Sequence, residues 1–93
     1  MSKYQEGWQG FLELCMASKE IKDFSIVLDL LLTAEEKENL AMRYLIIKAL
    51  LQKKKTQREI AKQLNVSIAK ITRGSNELKR INPVLLQYLK NLL

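Results

Sequence analysis

Apolar residues recur along this chain at spacings of three and four, the period of amphipathic helices. From Tyr4 to about Ala17 they form one stripe of Trp8, Phe11, Leu12 and Cys15. A polar patch, Ser18 to Asp23, reads as a loop. Phe24 to Leu32 is apolar almost all round, with Asp29 its only charge, so a helix there must be covered on most sides. Thr33 and Glu36 have the spacing of a capping box, in which hydroxyl and carboxylate each satisfy a free backbone N–H. Glu35, Glu36 and Lys37 open the helix that follows, the early acids suiting its dipole. Leu40, Tyr44, Ile47 and Leu51 share one face of it, and Ala41, Leu45, Ile46 and Leu50 widen that face. The run Gln52-Lys53-Lys54-Lys55 closes it, either compensating the dipole or lying within reach of phosphates.

A second capping box, Thr56 with Glu59, starts a short helix from Gln57 to about Leu64 whose inward side is Ile60, Ala61 and Leu64. Asn65 tolerates the left-handed backbone that leaves it, Val66 fills the corner, and Ser67 caps the next helix. In that helix Ile71 and Leu78 point back, while Lys70, Arg73 and Lys79 point out. A small Ala61 lets the two helices cross closely. Thr56 to Lys79 is thus the sequence form of a helix-turn-helix, whose second helix enters the DNA major groove. A helical hairpin with a merely solvated basic face has the same pattern. After a break at Arg80 to Pro83, Pro83 fits the first position of a final helix carrying Val84, Leu85, Leu89, Leu92 and Leu93.

About six helices and no other pattern give an all-α chain, and 93 residues suit one domain spanning 1–93. The wide apolar faces of residues 24–32 and 40–51 exceed what so small a domain hides. A symmetric homodimer is the physical answer, and it presents two recognition helices to a palindrome. Charge sharpens this: residues 1–33 carry three Lys and five acids, a net of −2, whereas residues 34–93 carry thirteen Lys/Arg and five acids, a net of +8. The basic part holds the helix-turn-helix, as a phosphate-facing surface requires. A membrane surface fits less well, because the cations sit on short helices around a turn. A single cysteine, no visible signal peptide and no unbroken apolar span point to the cytoplasm and away from a membrane. With no histidine, scattered acids and no glycine-rich phosphate loop, neither a metal site nor an enzyme is expected.

By elementary chemistry, Ile68 and Ala69 offer apolar contact to thymine methyls and Lys70 and Thr72 offer donors; backbone N–H groups near Ser67 face phosphates. Arg58 has the fork for a guanine edge or a phosphate, and Gln57 and Lys62 are backbone-positioning residues.

The run Ile71-Thr72-Arg73-Gly74-Ser75-Asn76 resembles the end of the recognition helix in the bacterial tryptophan repressor family. The resemblance extends through Gln57-Arg58-Glu59, Leu30-Leu31-Leu32-Thr33, Arg43, Trp8, Phe11 and Pro83-Val84, with one apparent extra residue near Ile81-Asn82. It implies an intertwined homodimer that binds operator DNA with L-tryptophan as corepressor and no other cofactor. It also implies that Arg58 contacts a base. The indole would lie between Arg43 and Arg73, the ligand carboxylate on Arg73 and Thr33, and the ammonium on the carbonyls of Leu30 and Leu32. Gly74 would leave room for the ring. The ligand would sit between the long helix of one subunit and the helix-turn-helix of the other. Guanidinium planes suit this work, since they stack on aromatic rings and donate in pairs to carboxylates. The chain departs at Glu77, where the family usually has a serine near the ligand's amino group, and at Asn65, Ala61 and Lys70. Glu77 keeps open a regulator of the same fold that ignores tryptophan. A helical assembly module and an RNA-binding protein remain as further alternatives, the last without aromatic residues on the basic helices.

Overall fold

Capping residues set most of the helix boundaries. The computed structural model describes residues 1–93 as six helices: α1 (Lys3–Ala17), α2 (Ile21–Leu31), α3 (Ala34–Gln52), α4 (Gln57–Leu64), α5 (Ile68–Arg80) and α6 (Pro83–Leu92). The all-α expectation holds. Thr33 Oγ1 accepts from the Glu36 N–H at 3.1 Å, and Glu36 Oε1 accepts from the Thr33 N–H at 2.8 Å. The same reciprocal pair joins Thr56 and Glu59, at 3.2 and 2.9 Å. A third box, Ser2 with Gln5, opens α1 and was not read from the pattern. Pro83 is at the first position of α6, and Asn82 caps it by accepting from the Val84 N–H at 2.7 Å.

Two boundaries differ from the expectation. The helix expected from Phe24 begins at Ile21, because the Glu20 carbonyl accepts from the Phe24 N–H at 2.9 Å and closes a turn inside the supposed loop. Ser18 is satisfied from the other side, its hydroxyl donating to the Leu14 carbonyl at 3.1 Å. The break after α5 is also shorter, since that helix runs through Arg80 and only Ile81 and Asn82 separate it from α6.

The chain forms two compact units, Met1–Lys37 and Glu38–Leu93. In the first, the Trp8 and Phe11 rings stack with centroids 5.4 Å apart, and Lys37 pairs with Asp29. None of its side chains is buried: Trp8 and Leu12 of the expected stripe are exposed, and Cys15 is half-buried. A groove of about 390 Å³ runs past Trp8, Phe11, Leu14, Leu31 and Leu32. The second unit holds the core, Ile46, Ile60, Ala61 and Ile71, flanked by Met42, Ala49, Leu50, Leu64 and Val66. Leu40, Tyr44 and Leu45 of α3 and Val84, Leu85, Tyr88 and Leu92 of α6 lie exposed.

Both capping carboxylates are held below the ordinary carboxylate range, first by the backbone N–H of Thr33 or Thr56 and then by its hydroxyl. A carboxyl whose pKa is depressed on folding stabilises the fold above its unfolded value and ceases to as pH falls through the folded one. Glu36→Gln with Glu59→Gln keeps an acceptor at each cap but removes the titration. The double variant should therefore lose less melting temperature than the parent between about pH 5 and about pH 3. Equal acid sensitivity in the two proteins would place the linkage elsewhere.

Candidate nucleic-acid interface and ligand cleft

The helix-turn-helix is built on four contacts. Ile60 and Ala61 of α4 are buried with Ile71 of α5, and Ala61 is small enough for the two helices to cross closely. Asn65 takes the left-handed conformation, φ 54° and ψ 49°, at the end of α4. Its own N–H donates to Lys62 O at 3.3 Å, and the Val66 N–H donates to Ala61 O at 3.0 Å. Val66 then packs on the core, and Ser67 Oγ accepts from the Lys70 N–H at 3.4 Å to start α5.

Within this frame Arg58, Lys62, Ser67, Ala69, Lys70 and Thr72 are exposed, as is Ile68 at 45%. Neither Arg58 nor Lys62 has a carboxylate partner, since the chain's ion pairs are Lys37–Asp29 and Glu77–Arg80. Gln57 is half-buried, and its Oε1 accepts from Thr72 Oγ1 at 2.9 Å. That bond ties the start of α4 to the second turn of α5, so two expected contact residues also orient each other. Lys55 is directed onto the pair of helices as well, its ammonium donating to Gln63. Lys53 has φ 54°, a conformation uncommon for a residue other than glycine, and turns the chain out of α3.

A cleft of about 530 Å³ opens on the opposite side of α5. Its α3 wall is Asn39, Met42, Arg43, Ile46 and Ile47, and its α5 wall is Lys70, Arg73, Gly74 and Glu77. The fold thus brings together Arg43, Arg73, Gly74 and Glu77 from a single chain. Leu30, Leu32 and Thr33 belong to the first unit, where Leu30 is exposed and the Thr33 hydroxyl caps α3. Asn39, Met42, Ile46 and Ile47 were not anticipated. Four-residue spacing from Arg43 was the signal that could have found Asn39. Lys70, read from the pattern as a donor to DNA, lines the cleft as well. A Cβ on Gly74 would lie 3.1 Å from Ile46 Cγ2 and 3.4 Å from Leu50 Cδ1, so the bare backbone is what lets α5 approach α3. Arg43 and Arg73 carry no ion pair, and Glu77 Oε1 lies 3.4 Å from Arg80 rather than on Arg73.

The profile of the family described as "Trp repressor protein" matches residues 6–93. The chain belongs to the Trp repressor family. A "Trp operon repressor homolog" of Chlamydia caviae is 51% identical over 88 residues, covering 95% of this chain and 87% of that one. The protein of the same name from Chlamydia trachomatis serovar D is 45% identical, covering 92% of each chain. One from Haemophilus influenzae is 39% identical over 90 residues, covering 97% of this chain and 89% of that one. The Trp repressor family is one of transcription regulators, not enzymes. No helix here is long and apolar enough to cross a membrane.

Proposed function

We propose that this Trp repressor family member is a tryptophan-dependent repressor that acts in the cytoplasm, as a homodimer, on palindromic operator DNA. The observation that carries this reading is one helix with two working faces. The first turns of α5 expose Ile68, Ala69 and Thr72, while Arg73 and Gly74 of the same helix, with Arg43 of α3, line a cleft holding two guanidinium groups without carboxylate partners. An aromatic amino acid suits that cleft, its ring against Ile46, Ile47 and a guanidinium plane, its carboxylate on Arg73. A second copy covers the exposed faces of α3 and α6, completes residues 1–93 as one domain, and brings Leu30, Leu32 and Thr33 to the ligand. Their carbonyls take the ammonium and the Thr33 hydroxyl takes the carboxylate. Tryptophan favours the DNA-binding arrangement because it gains contacts only when α5 is seated, with the two readers about 34 Å apart, one DNA turn. Arg58, Ile68, Ala69 and Lys70 read bases; Gln57, Lys62, Ser67 and Thr72 set the register on phosphates.

Calorimetric titration of L-tryptophan into the purified protein tests this. Saturation near one ligand per subunit is expected, with binding lost in Arg73→Ala. Operator binding should weaken linearly with the logarithm of salt concentration, and Lys62→Ala should reduce that slope by about 1. A complex indifferent to salt would remove the phosphate contacts from the reading. The second reading, a regulator of the same fold that ignores tryptophan, is favoured by Glu77 in the cleft; it predicts operator affinity unchanged by the ligand.

A further inference from the structure

We propose that Glu77 makes this cleft a selector of zwitterions, so that an indole carboxylate lacking the amine is rejected; the proposal rests on the tryptophan reading above. The cleft places cations and an anion over one apolar floor. Lys70, Arg73 and Glu77 follow one another at helical spacing along α5, opposite Arg43, with Ile46 and Gly74 beneath. A ligand with only a carboxylate satisfies the guanidinium groups and leaves Glu77 facing its apolar body. A ligand that also carries an ammonium satisfies both signs at once.

Two observations make the carboxylate available for this. Glu77 pairs with Arg80, at 3.4 Å, and not with the Arg73 that would hold a ligand carboxylate. That pair is exposed, with side chains 58% and 75% accessible for Glu77 and Arg80, so it is weakly held and readily exchanged for a ligand ammonium. Glu77 and Arg73 are four residues apart on one helix face, about the separation of the two charged groups an α-amino acid would have to bridge with help from its backbone flexibility. Asn39, also on the cleft wall, adds an amide that can serve either charge.

The test titrates L-tryptophan and indole-3-propionic acid, which differ at the amino group, into the dimeric protein and into Glu77→Gln and Arg80→Ala. The parent should prefer tryptophan by about tenfold or more, the value of one hydrogen bond to a charged group. In Glu77→Gln the preference should collapse, chiefly because indole-3-propionic acid binds better. In Arg80→Ala it should persist or grow, a result that a merely structural Glu77–Arg80 link would not give. An unchanged preference in Glu77→Gln, with tryptophan still bound, overturns the selector role alone. No binding of either indole ligand to the parent overturns it together with the tryptophan reading.

Discussion

Ile71→Ala should cost the protein about 2–5 kcal/mol and abolish operator binding, the first measured by denaturant unfolding and the second by anisotropy with a labelled duplex. Ile71 is 0% exposed and is one of four residues that make up the buried core, together with Ile46, Ile60 and Ala61. A chain of this length has about 5–14 kcal/mol of stability in all, so the loss is a large share of it. Truncation leaves a cavity at the junction of α4 and α5, where no other buried side chain of α5 can hold that helix. Ile68 supplies the control. It lies three residues earlier on the same helix and is 45% exposed. Ile68→Ala should change stability by no more than about 0.5 kcal/mol while still weakening operator binding. Equal stability losses in the two variants would contradict the inward and outward assignment of α5.

Gly74→Val is the second substitution with a large expected effect, and here two forces oppose each other. Replacing glycine in the middle of a helix by a residue with a side chain ordinarily gains a few tenths to about 1 kcal/mol from the unfolded state. Against that, even a Cβ would come within 3.1 Å of Ile46 Cγ2. That methyl sits directly on the branched Cβ of a residue only 4% exposed, so it cannot swing aside as the end of a long chain could. In Gly74→Ala the two effects nearly cancel, and stability should move by less than about 1 kcal/mol. Valine adds two further methyl groups and should lose about 1–3 kcal/mol as α5 is pushed off α3. Both variants narrow the cleft, so calorimetry should show weaker tryptophan binding even in the alanine variant, whose fold is nearly unperturbed. Tryptophan affinity untouched in Gly74→Ala would place the ring away from Gly74.

These residues also show what the sequence made legible. Helix starts were readable wherever a side chain does the capping, as at Thr33, Thr56 and Ser67, because the signal and the physics lie within four residues. The start of α2 was not, since Glu20 closes its first turn through a backbone carbonyl that any residue carries. The left-handed turn at Asn65 was readable, because asparagine favours it; the same conformation at Lys53 leaves no trace in lysine's chemistry. At the candidate site, Arg43, Arg73, Gly74 and Glu77 came from family resemblance, and helical spacing alone would have left both arginines as surface charges. Lys70 on the cleft wall and the Gln57–Thr72 bond depend on how two helices cross, which spacing along either helix does not encode.

The position of Lys70 has an evolutionary consequence. It lies on the exposed first turn of α5, among the residues read as facing DNA, and it also lines the cleft. A substitution there that adapts the protein to a drifting operator alters, in the same step, the wall against which its effector is weighed. Operator preference and effector preference are then not separate traits in this lineage. Descendants that change one should carry compensating changes across the cleft, at Asn39 or Glu77, rather than along the DNA-facing surface.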